Sequence, residues 1–186
     1  MLVGCEDGYD RQVNALLGLG FRYRDITICD RSQAVIDGLK DVNLGRCRLV
    51  QGDFLEVLNE MIAEGRDVSL VDFDSTMVIQ EIHYKLVNLA VQHGFQLIMV
   101  APRRISKALA EYSEIIARSM KMPFVKRLRA VSREEFPESQ AKTPQKMKLC
   151  VPGAKATLVE YTKRTGLQVQ DTHYDGVSKM FAILVN

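Results

Sequence analysis

Short runs of β-branched and other apolar residues alternate with helix-like patterns through residues 1–100 of the chain. This alternation is typical of βαβ units and a mostly parallel sheet. The pattern predicts five strands, at Met1–Val3, Asp25–Cys29, Arg46–Val50, Val68–Asp72 and Gln96–Ala101. It predicts four intervening helices, near Asp10–Leu19, Ser32–Leu39, Phe54–Ala63 and Thr76–Gln92. We therefore expect a doubly wound α/β sheet.

Beyond Pro102 the pattern changes to longer helical and polar stretches. We predict a helix, a strand, a proline-containing polar loop and a second helix, at Arg103–Met120, Phe124–Val131, Ser132–Pro152 and Ala154–Arg164. Two β runs follow, and the Asp175-Gly176 turn between them predicts an antiparallel hairpin of Leu167–Asp171 with Met180–Val185. No internal repeat is present, so we expect one domain over residues 1–186, with a mostly parallel seven-stranded sheet that ends in this hairpin.

The composition is that of an ordinary globular protein, with 47% hydrophobic and 26% charged residues. No apolar run approaches the roughly 18 residues of a membrane span, and the first residues lack a signal-peptide pattern. The four cysteines are widely spaced and the three histidines do not cluster. The sequence therefore predicts neither a disulfide framework nor a metal site, and we expect a soluble cytoplasmic protein.

Acidic residues stand at the ends of the first four predicted strands: Glu6 and Asp7, Asp30, Asp53 and Asp72. Ligands of open parallel sheets bind beyond the carboxyl ends of the strands. A single Asp at such a place is often only a helix cap or turn residue, but four in register indicate a binding site. Carboxylates at the first turn disfavour a pyrophosphate and favour a nucleoside ligand with a cationic tail, such as S-adenosylmethionine.

The same segments resemble the motifs of the class I S-adenosylmethionine-dependent methyltransferases, a Rossmann-like superfamily. Leu2-Val3-Gly4-Cys5-Glu6-Asp7-Gly8-Tyr9 resembles the first motif, which typically reads hydrophobic-Gly-Cys-Gly-x-Gly-Tyr. Asp30 is similar to the acid that binds the ribose hydroxyls, and Gly52-Asp53-Phe54 resembles the segment whose Asp accepts from the adenine amine. The resemblance implies a cofactor site of Gly4, Cys5, Glu6, Asp7, Gly8, Asp30, Arg31, Asp53, Phe54 and Asp72.

Two positions depart from the motif of that family. Leu2 stands where the family usually has an acid two residues before the first Gly, and Glu6 replaces the central Gly. The chain also begins inside the first strand, without the preceding helix of many relatives. Two interpretations follow: the protein is minimal, or a second copy of the chain or a partner subunit covers that edge.

The fourth strand end carries the candidate catalytic residues. Val71-Asp72-Phe73-Asp74 resembles the motif beside the transferred methyl, so the resemblance makes Asp72 and Asp74 catalytic candidates. Transfer requires alignment of the nucleophile and removal of its proton where it has one. Ser75 and Thr76 are candidates for substrate contact, with an equal alternative that one of them caps the following helix.

The charges are divided unevenly along the chain. The overall net charge is +2, but residues 1–100 carry −6, residues 101–165 carry +9 and residues 166–186 carry −1. A clustered positive field attracts polyanions, so we expect a basic insert at about 103–152 to bind the phosphates of a nucleic acid. Its candidate substrate-binding residues are Arg103, Arg104, Lys107, Lys126, Arg127 and Arg129. A solvated helix face or a subunit contact is the alternative.

Together these observations predict a methyltransferase that uses S-adenosylmethionine and acts on a nucleic acid, with RNA favoured over DNA. Two alternatives stay open: a methyltransferase for a small molecule or a protein, and a non-catalytic methyltransferase-like binding subunit.

Overall fold

The computed structural model of the chain describes residues 1–4, 8–74, 79–102, 111–122, 151–173 and 180–185. Within them the strands are β1 (Leu2–Gly4), β2 (Thr27–Asp30), β3 (Arg48–Gln51), β4 (Leu70–Asp74), β5 (Gln96–Pro102), β6 (Val169–His173) and β7 (Met180–Val185). The helices are α1 (Tyr9–Gly18), α2 (Gln33–Lys40), α3 (Phe54–Ala63), α4 (Glu81–His93), α5 (Glu111–Ser119) and α6 (Val151–Arg164).

The strands form one sheet in the order β3-β2-β1-β4-β5-β7-β6. The pairs among β1 to β5 are parallel, which confirms the mostly parallel α/β architecture. Strand β7 pairs antiparallel with β5 and with β6. Strands β2 and β3 lie on one side of β1, and β4 and β5 lie on its other side. Strand order therefore reverses between β1 and β4.

Helices cover both faces of the sheet. Successive strand residues point to opposite faces, and Leu2 and Val3 accordingly belong to two different buried clusters. The cluster around Leu2 includes residues of α3, α4 and α6, and the cluster around Val3 includes residues of α1. Residues of α2 pack against this second cluster. The face covered by α1 and α2 is called the α1 face below.

Most element boundaries differ from the sequence-based prediction by one or two residues, and three of the differences are described here. Strand β4 continues to Asp74, two residues beyond the predicted end. Helix α4 begins at Glu81, because Gln80 and His83 form a reciprocal cap; the alternative that Ser75 or Thr76 caps this helix is therefore wrong. Helix α6 begins at Val151, inside the predicted loop, since a proline is tolerated in the first turn of a helix.

Several predicted elements lie outside the described residues: the strand over Phe124–Val131, the 132–150 part of the loop, the 103–110 part of a helix and the Asp175-Gly176 turn. Among the described helices, none combines the length and the apolar character that crossing a membrane requires.

Candidate functional site

The carboxyl ends of β3, β2, β1 and β4 place four predicted site residues side by side along one edge of the sheet. In spatial order these are Asp53 just after β3, Asp30 at the end of β2, Gly4 at the end of β1 and Asp74 at the end of β4. The amide of Gly52 donates to the Asp30 carbonyl at 3.0 Å, which continues the β2–β3 pairing to the edge. The row includes the point where strand order reverses, the usual place for a ligand in such sheets.

The Asp30 carboxylate is held by hydrogen bonds to both of its oxygens. The hydroxyl of Tyr9, on the first turn of α1, donates to Asp30 Oδ2 at 2.7 Å. The amide of Ser32 donates to Oδ1, also at 2.7 Å. Both donors belong to this chain, so the chain's own atoms set the direction of the carboxylate.

Asp53 has a structural task as well as a predicted cofactor role. Its Oδ1 caps α3 by accepting from the amides of Leu55 at 3.0 Å and Glu56 at 3.4 Å. Its Oδ2 accepts from the guanidinium of Arg31, which follows β2. Partial burial works to raise the pKa of Asp53, but the Arg31 hydrogen bond and the two amides outweigh it and leave that pKa below its usual value. The carboxylate is therefore ionised at neutral pH.

The last residue of β1, Gly4, has no room for a side chain. A Cβ at this position would lie 2.4 Å from Cδ2 of the Phe54 ring. Phe54 is only 7% exposed and packs on Phe73 with ring centroids 4.8 Å apart. The Phe54 ring thus packs against the end of β1 from the core side. Its predicted contact with a cofactor stays a prediction.

Gly8 opens α1 in a left-handed conformation, with φ 93° and ψ 29°. A side chain would have space there, because nothing lies within 4 Å of a Cβ built on Gly8, but the backbone angle disfavours it. The residues between Gly4 and Gly8, which are Cys5, Glu6 and Asp7, lie outside the described part of the chain.

Asp72 lies inside β4, between Val3 of β1 and Ile98 of β5, and not at the strand end where it was predicted. It is 8% exposed, and its Oδ1 has no hydrogen-bond partner among the described residues. Burial, with a contribution from Asp74, raises the pKa of Asp72 to about 7. Alternation along β4 places both acids on the α1 face. Asp74 is the one at the edge, and Asp72 is a buried acid behind it.

His83 lies in the first turn of α4, and the sequence gives no local signal that it is buried. It is fully buried, and its Nδ1 accepts from the amide of Gln80 at 3.1 Å. Burial lowers the pKa of His83 to about 4, so the imidazole is neutral, and Nε2, which has no hydrogen-bond partner in the described part of the chain, carries the hydrogen. Its ring packs edge-on against Phe73.

The predicted substrate-binding residues fall outside the described ranges. These are Ser75, Thr76, Arg103, Arg104, Lys107, Lys126, Arg127 and Arg129. In the described ranges no three or more His, Cys, Asp and Glu side chains group as metal ligands would.

No protein-family profile and no curated protein sequence matches the chain. Solved structures do match over its whole length. One is fibrillarin from Aeropyrum pernix with natively bound S-adenosyl-L-methionine, at 15% identity and a TM-score of 0.51, of which this chain covers 65%. The chain thus spans slightly less than two thirds of that fibrillarin.

Two further matches are at 12% identity. The methyltransferase domain of bacterial CtHen1 has a TM-score of 0.51, and this chain covers 89% of it. The plantazolicin methyltransferase BamL, solved with a substrate analogue and SAH, has a TM-score of 0.50 and is covered over 76%. Together with the strand order, these likenesses show that the chain has the class I methyltransferase fold.

Proposed function

We propose that the protein is an S-adenosylmethionine-dependent methyltransferase that acts on a nucleic acid, with RNA favoured over DNA. The row of Asp53, Asp30 and Gly4 at the reversal of strand order carries this proposal. Two structures with the same fold hold S-adenosyl-L-methionine or SAH.

The described residues fit this cofactor. A carboxylate has about four acceptor positions, and Tyr9 and Ser32 use two of those on Asp30, which leaves two for the hydroxyls of a ribose. Asp53 Oδ2 keeps an acceptor position beside Arg31 that suits the exocyclic amine of adenine. The row thus offers acceptors where a nucleoside has donors.

The bound cofactor supplies a methyl group already activated on a sulfonium. The chain has to hold a nucleophile in line with that methyl and to receive the proton that the nucleophile loses. Asp74 and Asp72 are the residues we assign to this proton, with Asp74 at the strand edge and Asp72 behind it. An acid with a pKa of about 7 suits exchange of a proton at neutral pH. Ser75 and Thr76 follow directly and are assigned to substrate contact.

Charge supports the choice of a nucleic acid. Residues 101–165 carry +9 whereas residues 1–100 carry −6. We assign the phosphates to a basic insert at about 103–152, within a single methyltransferase-like domain over residues 1–186 whose seven-stranded sheet closes with the C-terminal hairpin. Its phosphate-binding residues are Arg103, Arg104, Lys107, Lys126, Arg127 and Arg129.

Calorimetry with S-adenosylmethionine tests the cofactor. We expect the wild type to bind, and Asp30→Ala and Asp53→Ala to weaken binding by roughly tenfold or more, as expected for lost hydrogen bonds to a charged group. Asp37→Ala is the matched control, because Asp37 is an exposed carboxylate on α2 that pairs with Lys40. Absence of binding to the wild type would overturn the enzyme proposal and favour a non-catalytic binding subunit, the alternative that Glu6 and Leu2 suggest.

Salt dependence tests the substrate class. About six phosphate contacts to a single strand predict a roughly hundredfold or greater loss of affinity between 50 and 200 mM salt. A fluorescent single-stranded RNA and the DNA of the same sequence serve as probes. Arg127→Gln should reduce the salt slope, whereas Arg66→Gln, which precedes β4 and pairs with Glu64, should not. Weak, salt-insensitive RNA binding would instead favour a small substrate, as in the similarly folded plantazolicin methyltransferase.

A further inference from the structure

Tyr9 connects the first turn of α1 with the end of β2. Its side chain is 5% exposed and packs in the cluster that contains Val13 and Leu16. From there its hydroxyl reaches Asp30 Oδ2 at 2.7 Å and the Cys29 carbonyl at 3.2 Å. A hydroxyl has one hydrogen to donate, and the shorter of these two contacts is the one with the charged acceptor.

The Asp30 carboxylate is thereby held from two sides. Tyr9 donates to one oxygen and the amide of Ser32 to the other, both at 2.7 Å. Hydrogen bonds to an ionised acceptor are the strong ones. Since Ser32 is also the cap of α2, accepting from the Val35 amide at 3.4 Å, each donor is itself fixed by a helix start.

We propose that Tyr9 is a positioning residue, whose hydroxyl holds the Asp30 carboxylate in the orientation that accepts from the two vicinal hydroxyls of a nucleoside ribose. This rests on the proposed function, because it takes Asp30 as the ribose acceptor. A carboxylate that is already oriented does not lose side-chain freedom when the ligand binds, so the affinity gained from its hydrogen bonds is kept.

The proposal separates the hydroxyl of Tyr9 from its ring. The ring fills space in the cluster of the α1 face, and a phenylalanine fills the same space. Without the Tyr9 hydroxyl, the amide of Ser32 remains as a donor to the Asp30 carboxylate. The carboxylate then turns more freely, and only ligands that use it are affected.

The experiment compares adenosine with 2′,3′-dideoxyadenosine, which lacks both vicinal hydroxyls, in NMR titrations of the full chain. For Tyr9→Phe we expect adenosine to bind roughly five- to tenfold more weakly, the range for one hydrogen bond to a charged group. Binding of 2′,3′-dideoxyadenosine should be unchanged. In the background of Asp30→Asn, the further loss from Tyr9→Phe should fall to less than twofold, because Tyr9 acts through Asp30.

Tyr84→Phe is the matched control. In the wild type the Tyr84 hydroxyl donates to Ser113 Oγ at 3.0 Å in a similarly buried setting between α4 and α5. The Tyr84→Phe variant should therefore bind both nucleosides as the wild type does. Equal weakening of both nucleosides by Tyr9→Phe, or no weakening of either, would overturn the inference while the wild type still binds adenosine. A wild type that binds neither adenosine nor S-adenosylmethionine would overturn the proposed function itself.

Discussion

Asp30 and Asp72 lie on the same face of the sheet, on β2 and β4, which flank β1. Their two carboxyl groups differ in exposure and in hydrogen bonding. Asp30 is partly exposed at the strand end and accepts two short hydrogen bonds. Asp72 is buried two residues before its strand ends, and one of its oxygens has no hydrogen-bond partner within the described ranges. In the proposed function, the first arrangement orients a carboxylate for a ligand, and the second raises the pKa of Asp72 so that a proton can be exchanged near neutral pH. Under that proposal the environment, more than the residue type, divides binding from proton transfer.

The largest effect should appear when the buried acid is removed. The pKa of Asp72 is about 7 in the folded chain against 3.8 for the free side chain. Folding therefore takes up a proton between these values, and the contribution of Asp72 to wild-type stability falls as pH rises from about 4 to 7 and then levels off. The full difference is about 4 kcal/mol. Buried His83, whose pKa is about 4 in the folded chain against 6.5 for the free side chain, changes stability in the opposite direction over most of this range. Asp72→Asn removes only the first contribution, so its unfolding free energy should rise relative to that of the wild type between pH 4 and 7 and exceed it above pH 7, as measured by urea unfolding from pH 4 to 9.

Asp30→Asn is the control for that measurement, because it changes a partnered carboxylate on the same face. Its unfolding free energy should keep the wild-type dependence on pH between 4 and 7. A variant Asp72→Asn with the same pH dependence as the wild type would show that Asp72 is ionised in the folded protein.

Cofactor affinity should separate the two acids next. Asp30→Ala should weaken S-adenosylmethionine binding by about tenfold or more at every pH from 6 to 8, corresponding to roughly 1.5–3 kcal/mol. Asp72→Asn should match the wild type at pH 6, where Asp72 is protonated, and bind more weakly at pH 8, where the ionised form attracts the cation. Calorimetry at both pH values checks this, and parallel pH dependence of the two variants would contradict the division of roles.

Gly4 lies on the strand between the two acids, and its replacement tests how tightly that strand is packed. Gly4→Ala should destabilise the fold by about 1–3 kcal/mol, because the new Cβ would overlap the Phe54 ring. Gly38→Ala, in the middle of α2 with open space around it, should instead stabilise by up to about 1 kcal/mol. Thermal unfolding measures both, and adding Phe54→Leu to Gly4→Ala should recover part of the loss.

The smallest effect belongs to Arg31, beside the neighbouring acid Asp53. Because the Arg31 side chain is 69% exposed, Arg31→Gln should lower the unfolding free energy by less than about 1 kcal/mol. The pKa of Asp53 should rise in this variant, as followed by NMR titration of its carboxyl group. Asp53→Ala should cost about 1 kcal/mol, since it also removes the cap of α3. A larger decrease in unfolding free energy for Arg31→Gln than for Asp53→Ala would contradict this order.

The parallel sheet and the row of acids at its carboxyl edge were predictable because local signals repeat there. Alternating apolar runs marked the strands, and helix α3 has the bounds that the sequence predicted, Phe54–Ala63, since Asp53 is a strong N-cap. The acids at the strand ends follow from the same pattern, so the positions of Asp30 and Asp53 at that edge were predictable without any knowledge of tertiary contacts.

The rest depended on contacts that are distant in sequence. The sequence pattern predicts Asp72 as the end of β4, but Asp72 is buried within that strand, and burial of an acid has no local signal. Tyr9 belongs to the first motif, but its role has no local signal either, because its partner Asp30 lies 21 residues away. The cap of α4 was missed because Gln80 and His83 form it together, and neither residue is a common cap.

The close approach of Phe54 to Gly4 also bears on how the sequence can change over evolution. A side chain at position 4 and an aromatic ring at position 54 exclude each other, since the Cβ would lie 2.4 Å from the ring. Homologous chains should therefore vary at these two positions together: those with alanine or serine at position 4 should carry a smaller residue at position 54. Paired substitution of this kind leaves a statistical record in related sequences, independent of whether any of them transfers a methyl group.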